Sequence, residues 1–262
     1  VPAGLNSVKA ISAGGWHTVA LKEDGTVVDS DVPENLINVK AISAGGWYTV
    51  ALKEDGTVVA WGRNKSQVPD GLDNVKAISA GMYHTVALKE DGTVVAWGDN
   101  EAGQCDVPED LDSVKAISAG GWFTVALKVG GTVVAWGANW CGQCDVPEGL
   151  VNVKAISAGY EHTVALKEDG TVVAWGDNEH GECDVPVDLD SVKAISGGGA
   201  HTVVLKEDGT VVAWGSNSRG QCDVPVGLSS VKAISAGGSH TVALKEDGTV
   251  VAWGRNDYGQ CD

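Results

Sequence analysis

One four-residue string, Lys-Ala-Ile-Ser, recurs seven times, and it constrains the fold more than any other feature of the chain. Its isoleucines are Ile11, Ile42, Ile78, Ile117, Ile156, Ile195 and Ile234. The last four intervals are 39 residues, and the first two are 31 and 36. A fixed period of this length marks a repeat architecture, in which each unit is one supersecondary element unable to bury its apolar face alone. The two short units occupy 8–38 and 39–74, and residues 1–262 are expected to form one domain of seven units. The ends also fit each other. Internal units read Cys-Asp-Val-Pro or a close variant, the chain stops at Cys261-Asp262, and it starts at Val1-Pro2. A linear array wants polar, atypical caps at its two ends. None is visible, so a ring closed by adjacent N- and C-termini is expected.

Each unit reads as β throughout. In the fourth, Val114 to Ser118, Thr124 to Lys128 and Thr132 to Trp136 are β-branched runs separated by glycine turns. No 11-residue window carries a helical apolar stripe. In six units Glu-Asp-Gly joins the second and third runs, a hairpin signal. A fourth, outer strand is expected at Gln143 to Val146, ended by Pro147 where an edge tolerates a missing donor. Four antiparallel strands per unit, seven times over, define an all-β, seven-bladed propeller.

Charge narrows the partners. Eighteen Lys and Arg against 35 Asp and Glu leave a net charge of −17. Phosphate backbones and anionic membranes are bound by basic faces, so neither nucleic acid nor membrane is expected as a partner. The start, Val1-Pro2-Ala3-Gly4, has neither an initiator Met nor the regions of a secretory signal. Six cysteines with no evident pairing lean towards a reducing compartment or an origin indifferent to redox, and the compartment stays open.

The string Ala-Gly-Gly-Trp-His-Thr-Val-Ala-Leu-Lys-Glu-Asp-Gly-Thr-Val-Val-Ala-Trp-Gly-x-Asn-x-x-Gly-Gln resembles the repeat of the regulator of chromosome condensation family, and the resemblance covers all seven units. Its compact 39-residue form is most similar to the secreted bacterial β-lactamase-inhibitory propellers. The resemblance implies a protein-binding face built from loops on one side of the disc, and a bacterial protein, secreted or periplasmic. It leaves the target open, because one fold hosts unrelated functions.

The units differ from one another mainly in two loops. The first follows Ala-Gly, and the second flanks the Asn after Ala-Trp-Gly. The first and third connections of an up-and-down blade lie on one side, so both loops share one face and the Lys-Glu-Asp-Gly turns take the other. That face is expected to gather Trp16, Trp47, Tyr48, Met82, Tyr83, Trp122, Phe123, Tyr160 and Glu161, joined by Trp140 and Tyr258 from the second loop. Rigid rings bury large area at small entropic cost, which suits a protein-binding hot spot. The bland alternative is that the rings fold down as local filler. Ala200 and Ser239 occupy the same slot in blades six and seven, and a slot the fold needed filled would not take a serine.

Other recurring residues get structural readings. Trp61, Trp97, Trp136, Trp175, Trp214 and Trp253 recur once per blade and read as framework packing. His17, His84, His162, His201 and His240 share a slot with Tyr48 and Phe123, which a metal ring would not accept, so hydrogen bonding between blades is expected. Cys105, Cys144, Cys183, Cys222 and Cys261 read as small buried groups, and Cys141-Gly142-Gln143-Cys144 lacks the second pair of a zinc site. No cofactor is expected. Ser12, His17 and Asp24 cannot form a relay, because seven strand residues at about 3.3 Å each separate the last two by roughly 20 Å. A non-enzymatic, monomeric protein binder is the leading reading. The alternatives are a recently amplified structural repeat with no specific partner and, remotely, a tryptophan-based ultraviolet sensor. Gly15-Trp16-His17-Thr18 lacks the Arg that bridges the dimer in such sensors. Blade one also lacks the Ala-Trp-Gly segment and its loop, and blade two is three residues short near Lys65-Ser66-Gln67. Tolerated deletion explains both, since outer strands bury least. A docking notch is the alternative.

Overall fold

The computed structural model describes residues 5–63 and 67–262. They form seven antiparallel sheets in sequence order around a ring. Blade four is representative, with strands Val114–Ala119, Phe123–Lys128 and Val133–Gly137. The middle strand is the most buried because it has a sheet neighbour on each side and a blade packed on each face. Val125, Ala126 and Leu127 are fully buried, and the same Val, Ala or Val, and Leu positions repeat in every blade. The core lies between blades rather than within them. Phe123, Val125, Leu127 and Val133 of blade four pack on Val153, Ala165 and Trp175 of blade five.

Two closed circles of hydrogen bonds, and a third that Phe123 interrupts, tie the blades together. In the first, each Lys-Ala-Ile-Ser serine accepts a backbone N–H from the next blade at 2.9 Å, and the circle completes with Ala13 N donating to Ser235 Oγ. In the second, backbone N–H and carbonyl groups after Ala-Gly pair from blade to blade, ending with Gly238 N on Gly14 O. In the third, His240 Nε2 of blade seven lies 2.9 Å from Thr18 Oγ1 of blade one. The string Lys-Ala-Ile-Ser is therefore invariant for a reason, and the backbone pairing after Ala-Gly persists even where Met82 or Tyr160 replaces glycine. The expected seam of Val1-Pro2 onto Cys261-Asp262 falls partly on residues outside those described.

Among the described residues the fourth strand expected in each blade does not form, and the sheets are three-stranded. Residues Gln143 to Val146 make turns instead. The cause is local competition for backbone donors, a habit of asparagine side chains. Asn139 Oδ1 takes the N–H of Cys144 at 2.8 Å, and its Nδ2 donates to Asp145 Oδ1 at 2.7 Å. Asp145 N bonds Gly142 O, so the segment satisfies itself and leaves nothing for a ladder. The Cys144 thiol donates to Ala138 O at 3.2 Å, and Cys105, Cys183 and Cys222 do the same in their blades.

Blade one departs as its sequence implies. Its third strand is only Val27–Val28, against five residues elsewhere. The shortened loop of blade two lies partly outside the described residues.

Candidate functional site

The two variable loops meet on one face. Arg63 N donates to Trp47 O at 2.8 Å, Asp99 N to Tyr83 O at 3.0 Å, and Ala138 N to Trp122 O at 2.9 Å, with equivalents in blades five to seven. The three consecutive residues after Ala-Gly then take three different environments.

The first of the three points to the ring axis. Five blades have glycine there. A side chain on Gly238 or Gly15 would collide with the Tyr160 hydroxyl, whose oxygen would lie 2.6 and 2.9 Å from the added carbon. Tyr160 thus reaches across the axis from blade five to blades seven and one. Together with Met82 it narrows the axial cavity to about 70 Å³, otherwise lined by alanine and glycine.

The second residue stands on the face. Trp16 and Trp47 stack with centroids 4.5 Å apart and planes 9° from parallel, and Tyr258 meets Trp47 edge-on at 5.6 Å. Tyr83 and Trp122 pack at 5.1 Å, and Trp122 and Trp140 at 6.1 Å. Two aromatic clusters result, one on blades seven, one and two, the other on blades three and four. Trp140 is 68% exposed and Tyr258 57%. Glu161 follows in the same slot on blade five. Burial raises its carboxyl pKa, and the nearby Asp177 and Glu179 raise it further. Ala200 and Ser239 complete the circle. Beside the first cluster, the shortened blade one opens a cleft of about 810 Å³, with Trp16, Trp47, Trp61 and Tyr258 on its walls and Asp29, Asp31 and Arg63 among its polar groups.

The third residue turns inward, and here the sequence expectation needs correction. Tyr48 is 3% exposed and Phe123 0%, so neither presents a ring to a partner. They open the middle strand in register with the buried histidines. Strand alternation turns a residue inward when its predecessor faces out. Tyr48 donates to His84 O at 2.5 Å and accepts from Thr85 Oγ1 at 3.1 Å.

The histidines link blades as expected. His84 Nε2 sits 2.9 Å from Thr124 Oγ1, and His17, His162 and His201 make the same contact with Thr49, Thr202 and Thr241. Thr124 Oγ1 donates its proton to Gln104 O, so the histidine must be the donor through Nε2–H. Nδ1 is then a lone pair, and in His84, His162, His201 and His240 it is buried without a partner. A proton there would be a buried, unpaired charge. Burial accordingly pushes the pKa of His84, His162 and His240 down to about 4, and of His201 to about 3. Among the described residues, no group of three or more His, Cys, Asp and Glu is arranged to hold a metal ion.

Seven three-stranded blades with their variable loops on one face define a β-propeller of the loop-presenting kind. The chain belongs to the regulator of chromosome condensation (RCC1) repeat family: that repeat matches residues 8–28, 39–67, 75–104, 114–143, 153–182, 192–221 and 231–260. No curated protein sequence matches the chain. Among solved structures it resembles Prp20p of Saccharomyces cerevisiae, at 18% identity and a TM-score of 0.77 over 95% of this chain and 83% of that one. That structure is described together with its binding to Gsp1p and histones. It also resembles the ectodomain of the Physcomitrella patens receptor kinase CR4, at 21% identity and a TM-score of 0.78, covering 95% of this chain and 74% of that one. The ectodomain of the Arabidopsis thaliana receptor kinase ACR4 is similar at 22% identity and a TM-score of 0.76, covering 97% of this chain and all of that one. At these identities the likeness is one of fold.

Proposed function

We propose that this chain is a non-enzymatic, monomeric protein-binding propeller whose recognition surface is the aromatic loop face. One observation carries the reading. Six rings, Trp16, Trp47, Tyr258, Tyr83, Trp122 and Trp140, stack in two clusters on the same face, while blades six and seven put Ala200 and Ser239 in the equivalent slot. The propeller framework does not demand a ring at this position, so the rings answer to something outside it. Aromatic pairs contribute about 0.5–1.5 kcal/mol beyond the area they bury, and anchors of this kind dominate interface energies. Met82 and Tyr160 support the face from the axis, and Glu161 sets an acidic border. The solved relative Prp20 is described bound to Kap60, which is consistent with a protein partner for this fold.

The test is a capture experiment with cell and culture extracts, using wild type beside a Trp47→Ala, Trp122→Ala double variant. A partner retained by wild type and lost by the double variant, which still melts within a few degrees of wild type, supports the reading. Inhibition of a β-lactamase by the purified chain is the first enzyme assay, because the compact repeat resembles the inhibitory propellers. Equal retention by both proteins overturns the aromatic face as the binding surface.

A further inference from the structure

Charge is spread unevenly over the loop face. Its arginines, Arg63, Arg219 and Arg255, sit in the second loops of blades two, six and seven. On this face the loops of blades three to five hold no Lys or Arg, yet they carry Asp99, Glu101, Glu161, Asp177 and Glu179. The two aromatic clusters therefore stand in different surroundings. In the first, the chain supplies its own cation. The Arg255 guanidinium lies 5.3 Å from the centroid of the Tyr258 ring, and its Nε donates to Asp257 Oδ2 at 2.7 Å. In the second, the slot of Arg255 is taken by Ala138, which is buried.

Rings and acids of the second cluster nevertheless come together on blades four and five. Ala138 N donates to Trp122 O at 2.9 Å and Asp177 N to Glu161 O at 2.8 Å, so the loop bearing Trp140 is tied to Trp122 and the loop bearing Glu179 to Glu161. The two loops also sense each other. Burial, and after it Glu161, Asp177 and Glu179, push up the thiol of Cys141, the residue next to Trp140. The surface is accessible, since Trp140 is 68% exposed and Cys141 and Glu179 are exposed as well. Among the described residues the ion pairs lie elsewhere, six at the turns of the opposite face and one between Arg255 and Asp257. A protein seated on Trp122 and Trp140 also covers Glu161. A carboxylate covered without a cation is costly, so the partner has to bring one.

We propose that the patch formed by Trp122, Trp140, Glu161 and Glu179 takes an arginine side chain from a basic segment of the protein partner. The guanidinium stacks on an indole and donates to the carboxylates beside it. Arginine suits the patch better than lysine, because its planar, weakly hydrated head stacks on rings and matches a carboxylate with two donors. The group Arg255, Tyr258 and Asp257 shows the same arrangement completed within the chain. The proposal rests on the aromatic face being the recognition surface, and it adds the chemistry of what docks there.

The probes are acetyl-Gly-Arg-Gly-Arg-Gly-amide and acetyl-Gly-Lys-Gly-Lys-Gly-amide. They are titrated into the full chain at about 0.15 M salt, where exposed charges more than about 8 Å apart are largely screened. Calorimetry and backbone-amide NMR shifts follow binding. Wild type is expected to bind the arginine peptide saturably and at least about threefold more tightly than the lysine peptide, with shifts centred on Trp140 and Glu161. A Glu161→Gln, Glu179→Gln variant is expected to weaken the arginine peptide at least about tenfold, and Trp140→Ala at least about fivefold. A Glu90→Gln, Glu207→Gln variant removes the same charge from the opposite face and is expected to stay within about twofold of wild type. No saturable binding by wild type, equal affinity for the two peptides, or equal weakening by the two double variants would overturn the proposal. The capture experiment reads the aromatic face separately. A partner lost by the Trp47→Ala, Trp122→Ala variant keeps that face even where the peptides fail, and equal retention removes it even where they bind.

Discussion

The Asp29 carboxylate accepts the Trp61 indole N–H at 3.0 Å. The same oxygen, Oδ2, accepts from Thr49 Oγ1 at 2.7 Å. In blades five to seven a backbone carbonyl of the preceding blade's outer loop does this, as Gln143 O does for Trp175 and Thr163. Blade one has lost that loop, and one side chain restores its two hydrogen bonds to blade two. The deletion is tolerated because an acceptor has been put back.

Replacing Asp29 should therefore cost more than an ordinary surface aspartate. Asp29→Ala leaves two donors without an acceptor, and each buried unpaired donor costs about 1–3 kcal/mol. Asp29→Asn keeps an oxygen and should lose less than half as much. Urea unfolding of the three proteins checks the order: wild type, then Asn, then Ala.

The histidine circle predicts an acid-sensitive fold. The folded pKa values lie below the ordinary 6.5, so the unfolded chain binds more protons than the folded one as pH falls. Stability is then full above about pH 6.5 and drains as pH drops towards 4, the folded value for His84, His162 and His240. Each histidine titrating alone would contribute on the order of 3 kcal/mol across that window. Melting temperature should fall steadily from pH 6.5 to 4.5. A flat profile there contradicts the neutral, Nε2–H assignment.

Phe123 interrupts the circle, since its ring cannot donate to Thr163 as the histidines donate to their neighbours' threonines. Phe123→His should fold and stay within about 1 kcal/mol of wild type at pH 8, because a net hydrogen bond offsets part of the lost apolar burial. It should also steepen the loss of stability below pH 6.5. Thermal unfolding at pH 8 and pH 5 measures both effects.

Much of this was legible in the sequence, and the reasons are specific. Lys-Ala-Ile-Ser recurs because Ser12, Ser43 and their counterparts link adjacent blades. Tyr48 and Phe123 in the histidine slot pointed to hydrogen bonding between blades, which His84 and Thr124 make. The same alignment also held the signal that those two rings are buried, but reading Trp47-Tyr48 and Trp122-Phe123 as aromatic pairs hid it, because neighbours on a strand face opposite ways. The missing fourth strand was not legible from β-propensity. Asn139 and its equivalents take the backbone donor at Cys144, and a side chain capturing a main-chain group is invisible to strand patterns. Tyr160 was placed on the face, whereas its hydroxyl crosses the axis to Gly15 and Gly238. That depends on ring diameter, which no single repeat encodes.

The loop face itself should be dispensable for folding. Each tryptophan of the Trp16–Trp47 stack contributes its area and about 0.5–1.5 kcal/mol of ring pairing, while the circles of inter-blade bonds lie beneath. Trp47→Ala should lower stability modestly and leave the acid profile unchanged, which parallel melts at pH 8 and pH 5 check.

The central claim is tested most directly by quantitative capture on three immobilised proteins: wild type, the Trp47→Ala, Trp122→Ala variant, and a Glu90→Ala, Glu207→Ala variant altered at the turns on the opposite face. The account predicts a partner held equally by wild type and the turn variant and lost by the aromatic variant, with all three melting within a few degrees of each other. Equal retention by all three, or loss only with the turn variant, would contradict it.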